Sequence, residues 1–150
     1  MFKKRNRDRR EKGGVERAAE HILWQKGLTG SRGKGKIHMQ SFWAMQHYDF
    51  NEITAFSYEQ LFETMRMLGL PYPEAEQLFR RMVFNVLARN CDDHTKNFAF
   101  LMDKSGAWKL SPAFDVCLSF GPGSTWVSQQ SLSVNGKRKD IHARIFYRLL

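Results

Sequence analysis

Apolar residues recur at three- and four-residue steps along two consecutive segments in the middle of the chain, which is the spacing of an amphipathic helix. In the first segment, Ser57 and Gln60 have the form of a capping box, and Gly69 is typical of the position after a helix end. The apolar face between them consists of Tyr58, Leu61, Phe62, Met65 and Leu68. The pattern therefore predicts a helix that begins at Tyr58 and ends before Gly69.

The second segment predicts a longer helix. Pro73 suits a first helical turn, and Glu74 and Glu76 stabilise the positive end of the helix dipole. The apolar positions form a wide stripe: Ala75, Leu78, Phe79, Met82, Val83, Val86 and Leu87. Because a wide stripe needs apolar partners on two sides, we expect this helix to pack against the first helix and one further element.

Beyond the second helix the pattern changes to short strands. Residues 98–102 are apolar and residues 107–110 are apolar except for Lys109, and the residues between them, Asp103 to Gly106, have the composition of a hairpin loop. Residues 131–134 are a third strand candidate. Because helices and strands occupy separate parts of the chain, the sequence predicts an α+β fold that is predominantly helical.

The composition is that of a globular chain of about one domain, with 150 residues of which 42% are hydrophobic. The longest apolar runs are far shorter than the roughly 20 residues of a membrane span, and the amino terminus lacks the apolar region of a secretory signal. Cys91 and Cys117 form neither a disulfide framework nor a zinc-binding pair by their spacing. We therefore expect a cytoplasmic protein with no membrane partner.

The positive charge is concentrated at one end of the chain. The net charge is +9, and residues 1–36 contain 12 Lys and Arg against 4 Asp and Glu. This division indicates a basic arm and glycine-rich linker in residues 1–36, with one short helix candidate at residues 15–26, followed by a packed domain in residues 37–150. The arm is either a solvated terminus or a contact for the phosphates of DNA.

One segment of the arm has the form of a nucleotide-binding loop. Gly30 to Lys36 matches the pattern GxxxxGK, which in such loops is followed by a magnesium-binding hydroxyl and preceded by a strand. Here Ile37 replaces the hydroxyl, and no strand is predicted before Gly30. The match therefore does not predict a nucleotide site.

The reactive side chains are densest in residues 90–97, between the second helix and the hairpin. Asp92 and Asn97 have the D-x-x-x-x-N spacing of a protein-kinase catalytic loop. In such a loop the carboxylate accepts the proton of the substrate hydroxyl and the amide oxygen binds magnesium. Asp93 is one residue out of that register, so Asp92 is the better candidate for the base.

The predicted hairpin places a second carboxylate beside this loop. Its returning strand leads into Pro112 to Asp115, so that Asp115 can meet Asn97 around a metal ion, as a second aspartate does in kinases. His94 and Lys96 add groups that can face a transferring phosphoryl group. The residues therefore predict a site for magnesium-dependent phosphotransfer.

Two longer strings carry a resemblance to a known family. Asn90-x-Asp92-Asp93-His94-x-Lys96-Asn97-Phe98, followed by Leu110 to Asp115, closely resembles the HipA family, the serine/threonine kinases that are the toxins of bacterial type II toxin-antitoxin modules. The resemblance is to their mainly helical carboxy-terminal lobe. Residues 37–42 resemble the histidine-containing segment before the helices, and residues 131–137 resemble a strand beyond the metal aspartate. The likeness covers about residues 37–141.

The resemblance implies a role for each matching residue. Asp92 would be the catalytic proton acceptor. The implied contacts to ATP and Mg²⁺ are His94, Lys96, Asn97, Phe114 and Asp115, with Asn97 and Asp115 as the metal ligands. The implied substrates are protein serines, in the best-known members of the family those of a translation enzyme of the aminoacyl-tRNA synthetase class. The implied partner is a DNA-binding antitoxin.

The sequence also departs from the kinase pattern. No His-Arg pair precedes Asp92, and Val116 rather than glycine follows Asp115, two features that agree with the HipA pattern. Residues 1–36 are too few and too polar to form the amino-terminal lobe that positions the phosphates, and the helical carboxy-terminal extension is missing. We therefore expect a truncated or split member with little phosphotransferase activity on its own, because positioning and charge stabilisation are spread over the whole site.

Two other functions are compatible with these residues. In the first, the chain is a non-catalytic lobe that binds a partner lobe, an antitoxin or, through the arm, DNA. In the second, Asp92, Asp93, His94 and Asp115 form a metal site for phosphodiester hydrolysis. Such sites with two metal ions use more ligands than these four.

Overall fold

The computed structural model describes residues 37–46, 55–142 and 145–146. These ranges form a small α+β fold, as predicted, with three α-helices, one 3-10 helix and one three-stranded antiparallel sheet. The elements in chain order are β1 (His38–Ser41), α1 (Phe42–Met45), α2 (Tyr58–Met67), α3 (Tyr72–Leu87), the 3-10 helix Thr95–Asn97, β2 (Ala99–Met102) and β3 (Trp108–Leu110). The predicted arm with its helix at residues 15–26 lies outside the described residues.

Helix α2 begins where the capping box predicts. The Ser57 side chain accepts a hydrogen bond from the backbone N–H of Gln60 at 3.3 Å, and the Gln60 side chain accepts one from the N–H of Ser57 at 2.8 Å. Two of the N–H groups that a helix start leaves without partners are thereby satisfied. After the helix, Gly69 adopts a φ of +70°, a conformation that glycine reaches without steric cost.

Helix α3 is confirmed in its extent, but its buried face is less apolar than predicted. Leu78 and Met82 are buried as expected, whereas Leu87 is 73% exposed. Two polar residues, Arg81 and Asn85, are buried on the same helix. Burial lowers the pKa of Arg81 to about 10, although the charge of Glu74 works in the opposite direction. The helix therefore places polar groups inside the molecule as well as apolar ones.

The predicted hairpin is present as β2 and β3, paired antiparallel with Met102 opposite Trp108. The carboxylate of Asp103 holds the turn, because it accepts hydrogen bonds from the N–H groups of Ser105 at 2.8 Å and Ala107 at 3.1 Å. Strand β1, which the sequence pattern did not predict, pairs with the other edge of β2 and places His38 opposite Met102. The central strand β2 leads directly out of the loop that carries the candidate site.

The prediction that residues 131–134 form a strand of the sheet was wrong. This segment makes only isolated bridges, from Ser133 to Ser57 and from Val134 to Lys137. The N–H groups of Ser131 and Leu132 donate to a side chain, the Asp93 carboxylate, rather than to a neighbouring strand. The segment is extended, but its first two N–H groups bind the loop that contains Asp93 instead of a strand.

The core lies where α2 and α3 meet the hairpin and the segment that follows it. Its largest buried side chains are Phe42, Tyr58, Leu61, Met65, Leu78, Met82, Phe98, Phe100, Leu110, Leu132 and Val134. A large apolar side chain that is fully buried contributes about 1.5 to 3 kcal/mol to folding. Within the described ranges, no helix is long and apolar enough to cross a membrane.

The capping box gives a first testable prediction. Ser57→Ala removes the acceptor for the Gln60 N–H and should lower the free energy of unfolding by about 1 kcal/mol. Urea unfolding followed by circular dichroism measures this loss. Glu63→Gln is the matched control on the same helix, because it removes only an exposed ion pair with Arg66 and should change stability by less than about 0.5 kcal/mol. Equal losses in the two variants would contradict the capping role.

Candidate active site

The candidate site is built on the loop that connects α3 to β2. After α3 ends, the N–H of Asn90 donates to the Asn85 carbonyl at 2.8 Å, and the Asn90 side chain donates to Oδ1 of Asn85 at 3.0 Å. These two bonds fix the direction in which the chain leaves the helix. The loop then passes through residues 91–94 and ends in the short 3-10 helix before β2.

Asp93 holds the loop from inside the molecule. Its side chain is buried, with 1% of the residue exposed. One carboxylate oxygen accepts from the Tyr58 hydroxyl at 2.7 Å, and the other accepts from the N–H groups of Ser131 at 2.7 Å and Leu132 at 3.4 Å. The carboxylate therefore joins the loop to α2 and to the segment after the hairpin.

Burial raises the pKa of Asp93 to about 7. The cause is the loss of hydration, which disfavours the charged form, and the hydrogen bonds from Tyr58, Ser131 and Leu132 offset part of it. Burial beside Asp93 also raises the pKa of the Tyr58 hydroxyl well above its usual value, so that this hydroxyl remains a hydrogen-bond donor.

The buried network extends beyond Asp93 to α3. The Asn85 side chain donates to the Tyr58 hydroxyl at 3.0 Å, and the Gln130 side chain donates to the Asn85 carbonyl at 3.2 Å. The Ser131 hydroxyl donates to the Cys91 carbonyl at 3.0 Å. These bonds lie on the buried side of the loop and fix its backbone, which in turn sets the position of the exposed loop residues.

Asp92, next along the chain, faces outward. Its side chain is 47% exposed, and its Oδ1 lies 3.7 Å from Nε2 of His94. Nδ1 of His94 accepts a hydrogen bond from the Lys96 N–H at 3.3 Å, so the neutral imidazole carries its proton on Nε2, toward Asp92. The 3.7 Å separation is too long for a direct hydrogen bond. Asp92 therefore keeps a carboxylate oxygen available to a ligand.

Asn97 is fixed to the same loop. Its side-chain nitrogen donates to the Asp92 carbonyl at 2.9 Å, which identifies the other atom of the amide as the oxygen. That oxygen accepts no hydrogen bond from any described residue. The hydrogen bond therefore fixes the Asn97 amide to the loop, and the role of its oxygen as a metal ligand stays a prediction.

Asp115 lies on a segment whose two ends are held to the two ends of this loop. The Ser111 N–H donates to the Ala99 carbonyl at 2.9 Å, and the Cys91 N–H donates to the Ser119 carbonyl at 3.0 Å. Asp115 is midway between these contacts, it is exposed, and its φ is +54°, in a region that side chains other than glycine rarely adopt. The two ends of this segment are therefore attached to the loop, and the predicted meeting of Asp115 with Asn97 around a metal ion stays a prediction.

A cavity of about 400 Å³ opens beside Asp92. We name it the tryptophan cavity after Trp43 and Trp126, and its walls are Trp43, Phe56, Asp92, His94, Thr95, Lys96, Trp126, Val127, Ser131 and Leu132. The Lys96 ammonium lies 5.0 Å from the centre of the Trp43 ring. Three of the predicted site residues, Asp92, His94 and Lys96, thus line this cavity. The other three, Asn97, Phe114 and Asp115, are not part of its walls.

The acidic, histidine and cysteine side chains of the described residues form no ready-made metal site. Within the described ranges, no three His, Cys, Asp or Glu side chains come together as a ligand set. Asp93, one member of the four-residue hydrolytic site considered above, has both oxygens engaged by hydrogen bonds inside the protein. The arrangement of these four residues therefore does not favour a two-metal hydrolytic site.

Sequence reasoning missed several residues that shape the site. Tyr58 was assigned to an apolar face, although its hydroxyl is the donor that holds Asp93. Asn85 could have been noticed, because a polar residue three positions after Met82 interrupts the apolar stripe. Trp126 lies in a polar stretch with no periodicity, and Trp43 follows Phe42 in a short helix that was not predicted, so no local signal marks either tryptophan.

A family model described as the HipA-like C-terminal domain matches residues 8–148. Among solved structures, the chain is similar to one described as the Shewanella oneidensis MR-1 toxin antitoxin system HipA, HipB and its operator DNA complex, with 16% identity and a TM-score of 0.62. The match covers 91% of this chain and 42% of that chain, so the likeness is one of fold and spans less than half of the larger protein. No curated protein sequence matches the chain.

The buried carboxyl gives a prediction about pH. The folded state keeps Asp93 protonated up to a pH of about 7, whereas the unfolded chain releases that proton near pH 4. The contribution of this group to the free energy of unfolding is therefore fully present below pH 4 and is lost as pH rises through about 7. Relative to Asp93→Asn, the wild-type protein should lose up to about 4 kcal/mol of stability over that range.

Urea unfolding of both proteins between pH 4.5 and pH 8 measures this difference. Asp92→Asn is the control, because it removes the adjacent, half-exposed carboxylate and should keep the pH dependence of the wild-type protein. A stability difference between wild type and Asp93→Asn that is constant or rises with pH would show that the buried group is ionised throughout.

Proposed function

The chain belongs to the family of HipA-like C-terminal domains, and on that premise we propose that it carries the phosphotransfer residues of a serine/threonine protein kinase of a toxin-antitoxin system. The proposed reaction transfers the γ-phosphoryl group of ATP to the hydroxyl of a protein serine. The observation that carries the proposal is the pairing of two adjacent aspartates with opposite environments. Asp93 is bound inside the protein, and Asp92 is thereby presented with a half-exposed carboxylate at the mouth of a cavity.

Asp92 is the proposed proton acceptor. A general base must reach the hydroxyl proton of the substrate and must have an oxygen that is not already occupied. Asp92 meets this requirement, because its Oδ1 lies 3.7 Å from Nε2 of His94, too far for a direct hydrogen bond. Asp93 does not, because both of its oxygens accept hydrogen bonds from the protein.

His94 and Lys96 are the proposed contacts to the phosphate groups. Nε2 of His94 carries a proton and has no hydrogen-bond partner among the described residues. Lys96 places its ammonium at the wall of the same cavity. Donors and positive charge that are already in position stabilise the charge that develops on phosphoryl oxygens in the transition state.

Asn97, Phe114 and Asp115 are the proposed residues on the magnesium side of the site. The Asn97 amide oxygen and the Asp115 carboxylate are ligands of the type that Mg²⁺ prefers, and such sites need only one or two carboxylates in addition to the phosphates. When bound, Mg²⁺ would neutralise charge on the phosphate oxygens. The residues present therefore fit the ion, and Asn97 is already oriented by its bond to the Asp92 carbonyl.

The proposed partners follow from the family. The acceptor is a protein serine, with a translation enzyme of the aminoacyl-tRNA synthetase class as the first candidate, and the controlling partner is a DNA-binding antitoxin. The similar structure from Shewanella oneidensis MR-1 is described as a complex with HipB and operator DNA, which supports a search for such a partner. The match covers 42% of that protein, so its partners and the activity of the whole protein are part of the proposal for this chain.

The proposal predicts different effects for the base and for the metal ligands. Asp92→Asn should reduce phosphate transfer from labelled ATP by on the order of 10²- to 10⁴-fold, because it removes the proton acceptor, while Mg²⁺-dependent ATP binding stays within about twofold. Asn97→Ala and Asp115→Asn should instead weaken the Mg²⁺ dependence of ATP binding. Transfer is measured with a generic protein acceptor in single-turnover assays, and binding is measured by calorimetry with and without Mg²⁺.

Glu63→Gln is the matched control for a lost carboxylate, because Glu63 is exposed and lies on α2, outside the candidate site. The calorimetric readout of ATP binding does not depend on the turnover rate. Transfer that persists in Asp92→Asn would exclude Asp92 as the base. Binding that is indifferent to Mg²⁺ in all variants would exclude the proposed metal ligands.

A second candidate function is DNA binding by the arm, which the +8 charge of residues 1–36 favours. Replacing Arg9 and Arg10 by glutamine should reduce the slope of log affinity against log salt concentration for a DNA duplex by about 2, because each lost phosphate contact removes about 0.9. Lys104→Gln with Lys109→Gln is the control of equal charge in the exposed hairpin. An unchanged slope in the arm variant, measured by fluorescence anisotropy, would rule out a role of these arginines in DNA binding.

A further inference from the structure

A second cavity, of about 320 Å³, lies on the other side of the segment that lines the tryptophan cavity. Its walls include Arg89, Phe120, Gln130, Arg138, Lys139 and Asp140. The chain from Trp126 to Leu132 contributes to both cavities, because residues 128–130 face the second and Ser131 and Leu132 face the first. We name the second one the basic cavity.

The basic cavity has an excess of positive charge. Arg89, Arg138 and Lys139 contribute three cations, and Asp140 is the single acidic side chain among the described wall residues. In the described part of the chain, no salt bridge involves Arg89 or Lys139. Cations gathered around one cavity repel each other, and an anion bound between them relieves that repulsion.

Two of these cations are held in place by the protein. The guanidinium of Arg89 lies 4.4 Å from the centre of the Phe120 ring, a cation–π contact. Arg138 donates to the Gln130 carbonyl at 3.4 Å, to the Phe56 carbonyl at 2.8 Å and to the Ser131 carbonyl, which fixes its guanidinium beside the segment that the two cavities share. Positioned cations bind an anion with a smaller loss of side-chain entropy than free ones.

The backbone at Arg89 is unusual for its residue type. Arg89 directly follows the C-cap of α3 and has a φ of +52°, a position that glycine or asparagine normally occupies because other side chains are strained there. Asp140, in the same wall, has a φ of +51°. Non-glycine residues in this conformation concentrate at functional sites, where the side chain is needed despite the strain.

The wall of the basic cavity also contains a neutral side chain, that of Gln130, whose oxygen lacks a hydrogen-bond donor. Gln130 is 5% exposed, and its nitrogen donates to the Asn85 carbonyl at 3.2 Å. Its Oε1 is buried and accepts no hydrogen bond from any described residue. A buried acceptor without a donor costs about 1 to 3 kcal/mol, so a ligand that brings an O–H or N–H group to it would be favoured.

We propose that the basic cavity binds a phosphate-bearing small molecule, with the phosphate between Arg89, Arg138 and Lys139 and a hydroxyl of the ligand toward Gln130. The volume exceeds that of one phosphate ion, which leaves room for a small organic part. The site is separate from Asp92 and does not depend on the kinase assignment. Because Gln130 precedes Ser131, whose N–H holds Asp93, an occupied cavity contacts the segment that fixes the candidate catalytic loop.

The full chain is titrated with inorganic phosphate and with a hexose monophosphate, in the presence of a chelator and without nucleotide, by calorimetry and by amide chemical shifts. We expect saturable binding, with shifts concentrated in residues 89–91 and 128–142. Arg89→Gln and Lys139→Gln should each weaken the binding roughly tenfold, since each removes a charge-assisted hydrogen bond. Tighter binding of the hexose monophosphate would identify a phosphorylated metabolite as the ligand, and equal binding would identify phosphate itself.

Arg66→Gln and Lys104→Gln are the matched controls, because each removes one exposed positive charge elsewhere on the surface. The four substituted side chains are exposed, so each variant should fold, and the circular dichroism of each is compared with that of the wild type. The proposal is overturned if neither ligand gives saturable binding. It is also overturned if the control variants weaken binding as much as Arg89→Gln and Lys139→Gln, because the effect would then reflect net charge alone.

Discussion

The carboxyl group of Asp93 is the interaction on which the candidate site depends. It receives hydrogen bonds from α2 through Tyr58 and from the segment after the hairpin through Ser131 and Leu132, so three parts of the chain that are distant in sequence meet at one buried group. A buried polar group must have partners, because leaving it without them costs about 1 to 3 kcal/mol. This requirement specifies the loop position more strictly than apolar packing would, since a hydrogen bond tolerates little change in distance or direction.

The same group shows why a shifted pKa is not sufficient to identify a catalytic residue. A carboxyl with a pKa of about 7 is close to the value expected of a general base. Asp93 is nevertheless 1% exposed and has both oxygens engaged, so no substrate hydroxyl can reach it without breaking the network. Its neighbour Asp92 is half-exposed and lies at a cavity. Because consecutive residues of the loop point in different directions, one aspartate is structural and the next is accessible.

The parts of this fold that were predicted from the sequence depend on contacts between near neighbours. The capping box of Ser57 with Gln60 and the turn at Asp103 are local, and both are present. Strand β1 and the bonds from Ser131 and Leu132 to Asp93 join residues that are more than 35 positions apart, and no local pattern encodes them. The D-x-x-x-x-N spacing predicts roles for Asp92 and Asn97 but gives no information on the tryptophans of the cavity, because these come from two segments without periodicity.

Most of the non-glycine residues with positive φ in the described ranges lie at the candidate sites. Of the non-glycine residues with positive φ in the described ranges, Asn135 precedes Gly136 in an ordinary turn, whereas Asp115 lies on the proposed magnesium segment and Arg89 and Asp140 line the basic cavity. A sequence selected for stability alone would place glycine or asparagine at such positions. Aspartate tolerates this conformation through local hydrogen bonds, so the strain is clearest at Arg89, whose side chain also lines the basic cavity.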